Sequence, residues 1–273
     1  MTRQCLAADS RPFSLSSFFT RADTLLPGLP VRYCRHDDPS PFCLALIDLA
    51  ALAEKLKNEE ERQILLGLLS EREKALFATY TYTKRQGEWL GGRLACKYAT
   101  LSLHGRVNAP EAEEFAAVSI LPAKTGRPEL IHHGGHGPGP GISISHSRGY
   151  AVAMAARTQR CGIDIQKISK KIIQVQSRFA AADELDCLRR CAQGLGETER
   201  LTLLWSAKEA LKKALLHDQP AVFHGLSLHS LHRNHFFSLH LNYPGGGAQP
   251  ARITAAKLDR FVLAFYPGKE HHA

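Results

Sequence analysis

An α+β fold made of two similar subdomains is what the 273-residue sequence predicts, and two observations carry that prediction. First, helix-like and strand-like patterns are segregated, each half running from helical segments into a terminal strand-turn-strand unit. Second, the two terminal units, ISISHSRGYAVAMAA and ARITAAKLDRFVLAFYP, resemble each other and lie about 110 residues apart. The expected organisation is an N-terminal extension over 1–41, an α+β subdomain over 42–157 and a second over 158–268.

The elements follow in order. Residues 1–40 are rich in Ser, Pro and Asp and read as an extension laid over a core. FCLALIDLA from Phe42 suits a buried strand, and KNEEERQILLGLLSEREKALFATY suits one or two helices, with Ser70 and Glu73 forming a capping box. TKRQGEWLGGRLACKYATLSLHG reads as a long helix with Leu90, Leu94 and Leu101 on one face. Gly91 and Gly92 inside it each cost about 1 kcal/mol relative to Ala, so they mark close backbone packing or a ligand's approach. A loop containing KTGRPEL and IHHGGHGPGPG leads into the first strand-turn-strand unit, and CGIDIQ is a further short strand. KIIQVQSRFAAADELDCLRRCAQ reads as a helix, TERLTLLWSAKEALKKALL is the strongest amphipathic helix, and GLSLHSL, HFFSLHLNY, ARITAA and DRFVLAFYP read as strands.

Composition is that of an ordinary globular protein, 44% hydrophobic and 22% charged. A formal charge of +9 points to an anionic partner: nucleic acid, a phosphate-rich cofactor, an acidic protein or an anionic membrane. The basic residues are scattered, without a recognition-helix or aromatic strand signature, so nucleic acid is not expected. No run approaches the length of a spanning helix and no apolar leader opens the chain, so neither membrane association nor export is expected. The seven cysteines are odd in number and form no CxxC pair, which fits a reducing cytoplasm. HSLHRNH and HHGGHG lack acidic or Cys partners at ligand spacing, so no structural metal site is expected there.

Chemistry concentrates in four short stretches. In GIDIQ, strand alternation puts Asp164 and Gln166 on one face, two oxygen donors about 7 Å apart from the strand rise, a spacing suited to a hard cation. In LWSAKEALKKAL, Leu203, Leu204, Ala207, Leu211, Ala214 and Leu215 form an apolar arc. Lys208, Glu209, Lys212 and Lys213 interleave with Leu201, Trp205 and Leu216 on a mixed face, as at a cleft floor. In SISHS, Ser143, Ser145 and Ser147 share one strand face opposite His146, and TGRP presents Arg127 rigidly before Pro128.

Taken in order, TGRPEL, ISISHS, CGIDIQ and LWSAKEALKKAL resemble the successive motifs of the Sfp-type 4′-phosphopantetheinyl transferases. SEREKALF and RQGEWLGGR extend the resemblance upstream, so that it covers roughly residues 42–267. It implies two α+β subdomains related by a pseudo-twofold, with the active site in the cleft between them. It also implies transfer of the 4′-phosphopantetheine arm of coenzyme A, the co-substrate, to a serine of an apo acyl or peptidyl carrier protein in fatty acid, polyketide or nonribosomal peptide biosynthesis. Adenosine 3′,5′-bisphosphate is the other product. A monomer is expected, since both subdomains lie in one chain.

The resemblance implies Asp164, Gln166 and Glu209 as Mg²⁺ ligands, with Glu209 or a metal-held water as general base and Lys213 stabilising charge on the pyrophosphate. Arg127, Pro128, Ser145 and His146 match coenzyme-contacting positions, and Lys208 is expected to support Lys213 or orient Glu209. Arg72, Lys74 and Arg93 are candidates for the 3′-phosphate or the carrier. Gln166 stands where the family more commonly has Glu, which removes one negative charge and lowers the expected metal affinity.

Overall fold

The computed structural model describes residues 14–22, 31–37, 40–105, 112–132, 139–217 and 223–268. The glycine- and histidine-rich loop at 133–138 therefore lies outside the described residues, as do 1–13 of the N-terminal extension.

The N-terminal part contains α1 (Leu15–Phe18), β1 (Thr20–Ala22), β2 (Val31–His36), β3 (Phe42–Asp48), α2 (Leu49–Lys55), α3 (Glu59–Gly67), α4 (Glu71–Ala78), α5 (Thr83–Leu103), α6 (Ala112–Ala117), β4 (Val118–Pro122), β5 (Pro128–His132), β6 (Gly141–Ser147) and β7 (Tyr150–Ala156). The C-terminal part contains β8 (Gly162–Lys167), α7 (Lys171–Gln174), α8 (Ala182–Cys191), α9 (Glu197–Leu215), β9 (Ser227–Arg233), β10 (Phe237–Asn242), β11 (Ala251–Leu258) and β12 (Phe261–Tyr266). Two five-stranded antiparallel sheets, β1-β2-β3-β7-β6 and β8-β12-β11-β10-β9, and a two-stranded one, β4-β5, result among the described residues.

The layers run helix, sheet, sheet, helix. Alternation along β3 sends Cys43, Ala45 and Ile47 to α5 and Leu44 and Leu46 to the opposite sheet. On β8, Ile163 and Ile165 enter that same inter-sheet core, so Asp164 and Gln166 face the α9 side. Gly91 and Gly92 serve packing: an added Cβ would meet Leu49 at 2.7 Å and Ile144 at 2.9 Å respectively.

Three segments differ from the sequence reading. β2, within the stretch read as an extension, pairs antiparallel with β3 from Val31↔Ile47 to His36↔Phe42. The KTGRPEL loop is the turn of a β4–β5 hairpin, closed by Ala123 N–H to Arg127 O at 2.8 Å, with Gly126 at φ +83. The helix read across 171–193 is broken. Phe179 turns its carbonyl to Lys208 at 2.6 Å, and the Ala181 N–H is drawn to the Glu184 carboxylate at 2.9 Å, so α8 restarts there.

The duplication reaches the buried polar groups. Glu73 of α4 accepts from Ser70 N–H and Ile120 N–H and pairs with Lys97 of α5 at 2.6 Å, while Lys97 donates to the Leu68 carbonyl at 2.9 Å. Glu184 of α8 accepts from Ala181 N–H and Leu228 N–H and pairs with Lys208 of α9 at 2.8 Å, and Lys208 donates to the Phe179 carbonyl. The pairs Leu68/Phe179, Ser70/Ala181, Glu73/Glu184 and Lys97/Lys208 share one sequence offset. Each latch ties a long central helix to the short helix before it and the strand after it.

Candidate active site

The two sheets meet edge to edge through serines. Along β8, Ile163, Ile165 and Lys167 donate their N–H groups to the hydroxyls of Ser143, Ser145 and Ser147 on β6, at 3.1, 3.3 and 3.0 Å. The constant step makes the strands parallel neighbours with side-chain oxygens in place of a backbone ladder. Ser145 has a second task, donating to Oδ1 of Asp164 at 2.9 Å.

Against this seam lies α9. Its approach depends on Gly162, where a Cβ would stand 1.9 Å from the Ala210 carbonyl oxygen, so only glycine lets β8 reach the helix backbone. Lys213 thereby reaches Asp164 Oδ1 at 2.8 Å and the Ile163 carbonyl at 3.0 Å. Asp164 is only 6% exposed, and its Oδ2 is buried with no hydrogen-bond partner among the described residues. Glu209 is held above the usual carboxylate range, first by burial and then by the negative charge of Asp164, with Lys213 and Lys212 opposing.

A cavity of about 270 Å³ opens beside them, lined by Arg127 and Pro128 of the β4–β5 turn, Ser143 of β6, and Glu209, Lys212 and Lys213 of α9. Arg127 is steadied by donation to the Gln159 carbonyl at 2.9 Å. His146 points to the other side of β6, with Nδ1 3.9 Å from the Glu88 carboxylate. Burial lowers the His146 pKa, and the Glu88 charge opposes that shift.

The structure thus brings together Asp164, Glu209, Lys213, Arg127 and Pro128, with Ser145 and His146 at the margin. Gln166 sits on the Asp164 face of β8, paired in register with Val262. The remaining candidates are placed as follows. Ser145 faces the seam and positions Asp164. Lys208 is about 1% exposed and committed to Glu184 and the Phe179 carbonyl, away from Glu209's cavity. Arg93 lies over the Trp89 ring at 4.6 Å and donates to the Ile120 carbonyl at 3.3 Å. Arg72 and Lys74 line a separate cavity beside Ser119, Lys74 pairing with Glu71 at 2.7 Å. Sequence reasoning missed Glu88 beside His146 and Glu184 beneath Lys208. Glu184 carried one signal, since an acid three residues after a helix start is a capping position.

The donor set fits one hard divalent cation. Asp164 lies near enough to Glu209 for its charge to raise that carboxyl, one Asp164 oxygen is buried and orphaned among the described residues, and Gln166 lies on the same strand face; water and phosphate oxygens complete such a sphere. No group of three or more His, Cys, Asp or Glu residues able to hold a metal occurs among the described residues.

No curated protein matches the chain. Among solved structures, a holo-(acyl-carrier-protein) synthase from Bacillus anthracis str. Ames, in complex with CoA (3′,5′-ADP), aligns with 25% identity over 41% of this chain and 90% of its own, with a TM-score of 0.34. Residues 160–264, which contain Asp164, Glu209 and Lys213, match the family model of the 4′-phosphopantetheinyl transferase superfamily.

Proposed function

We propose that the chain is an Sfp-type 4′-phosphopantetheinyl transferase that moves the phosphopantetheine arm of coenzyme A onto a serine of an apo acyl or peptidyl carrier protein. The observation that carries this reading is the convergence of Asp164, Glu209 and Lys213 at one seam beside the cavity that Arg127 lines. In this reading residues 42–157 and 158–268 are the two subdomains and the reaction occurs where they meet.

The carrier serine oxygen attacks the β-phosphorus of the coenzyme's pyrophosphate. The bond from that phosphorus to the bridging oxygen breaks, and adenosine 3′,5′-bisphosphate leaves. Such a displacement needs alignment and charge neutralisation above all. Arg127 and Lys213 supply positive charge at the cavity wall, and Arg127 can meet a phosphate bidentately. Glu209, with its proton affinity raised by burial and by Asp164, accepts the serine proton. Ser145 and Lys213 together fix Oδ1 of Asp164, which leaves Oδ2, without a partner among the described residues, available to a cation. Asp164 and Glu209, with Gln166 as a weak ligand or through water, would hold a Mg²⁺ ion, which would neutralise the pyrophosphate charge. The +9 charge suits both anions involved, the coenzyme and an acidic carrier surface.

The test is incubation of the protein with coenzyme A, Mg²⁺ and an apo carrier, read by intact mass. Gain of one phosphopantetheine on the carrier serine supports the reading; carriers that stay unmodified oppose it. The Gln at 166 favours a second reading, a carrier-binding relative without activity. Inactive wild type with activity appearing in Gln166→Glu would establish that alternative.

A further inference from the structure

The duplicated architecture implies a second cleft, and the structure shows what became of it. The offset that relates Lys97 to Lys208 also relates the β6–β7 hairpin to β11–β12. By that offset Glu209 corresponds to Tyr98, Lys213 to Ser102, and Ser143 at the cavity wall to Thr254. The acid and the ammonium are gone. β2 has moved into the place beside β3 that would match the β6 seam, with Tyr33 packed on Tyr98 at 5.7 Å and Arg35 donating to the Ser102 carbonyl at 2.6 Å.

What remains is a cavity of about 530 Å³ on the inter-sheet side, within the range of small-molecule sites. Phe18, Phe42, Phe236 and Phe265 supply apolar wall, and Arg35 and Arg252 supply charge; no acidic side chain lines it among the described residues. The two cations differ. Arg35 is neutralised by Asp37 at 2.6 Å. Arg252 bonds only the Ser238 hydroxyl, through Nε at 2.9 Å, and pairs with no carboxylate among the described residues. Arg252 is exposed on β11 and lines this aromatic chamber, and a guanidinium beside an apolar wall is the combination that recognises a planar anion on an apolar body.

We infer that this residual second cleft binds a small organic carboxylate with an apolar acyl or aryl body, anchored by Arg252. The site is separate from the Asp164 seam and does not depend on the transferase reading.

The test is calorimetric titration of the full chain with octanoate and 1-naphthoate, using octan-1-ol as the neutral control. Saturable binding of either carboxylate, at least about tenfold tighter than the alcohol and weakened at least about tenfold by Arg252→Gln, is the expected result. Preference between the two carboxylates tells acyl from aryl. Thr254→Trp, which fills the chamber, is expected to abolish binding while the chain stays folded by circular dichroism. No saturable binding by either carboxylate, or equal affinity in wild type and a folded Arg252→Gln, overturns the inference.

Discussion

Lys213 holds Oδ1 of Asp164 at 2.8 Å, and the other oxygen of the same carboxylate is buried with no donor among the described residues. A buried carboxylate oxygen left bare destabilises the fold until a donor or cation reaches it. Millimolar Mg²⁺ is therefore expected to raise the melting temperature of the wild type, by about 2.7 kcal/mol of stability at a hundredfold excess over Kd. Asp164→Asn and Glu209→Gln should lose most of that gain in scanning calorimetry. An equal Mg²⁺ shift in all three proteins contradicts a cation between these residues.

Glu209 gives a pH signature. Burial and the Asp164 charge raise its pKa, so the folded state binds the proton more tightly than the unfolded chain. Stability then falls as pH rises through the window from the ordinary Glu value up to the raised one, and is fully recovered only below the ordinary value. In metal-free buffer at neutral pH, Glu209→Gln should melt roughly 1–4 °C above the wild type, and the difference should vanish in acid. Melting curves of the two proteins across pH 3.5 to 8 check this.

The Lys208 latch makes the opposite kind of prediction. Lys208→Met leaves the Glu184 carboxylate buried and unpaired, at a cost of about 3–5 kcal/mol by denaturant unfolding. Adding Glu184→Gln removes the charge but keeps an acceptor for only one of the Ala181 and Leu228 N–H groups, so it should recover part of the loss. Lys97→Met should behave alike in the N-terminal half.

At the seam, Ser145→Ala removes the bond to Asp164 and the acceptor for Ile165, and is expected to cost about 1–3 kcal/mol. Ser147→Ala, at the part-buried end, should cost under about 1 kcal/mol because water can replace its hydroxyl. Unfolding of the two variants side by side reads the difference.

What the sequence disclosed and concealed follows from the range of the interactions. The Ser70 and Glu73 capping box, the helix over 83–103 and the strand at 162–167 are set by near neighbours, and their patterns are visible in the chain. β2 was hidden because Arg32, Arg35 and His36 make its composition polar, although its pairing partner β3 follows closely. The β4–β5 hairpin was hidden because prolines stand at its inner ends, Pro122 opposite Pro128. Face alternation separated Ser145 from His146, yet only the folded chain shows that the serine face meets β8. Lys208 and Glu209 are neighbours in one motif pointing to different sides of α9. Their division depended on Glu184, a partner that local sequence does not name.

That division is the central claim: Glu209 acts in the chemistry and Lys208 in the latch. The most direct measurement is the turnover of carrier modification by Glu209→Gln, with coenzyme A affinity and melting temperature measured on the same sample. The account predicts a fall of at least about a hundredfold in kcat, the usual worth of a general base, in a fold no less stable than wild type. Turnover within a few fold of wild type, in a folded Glu209→Gln protein, contradicts it.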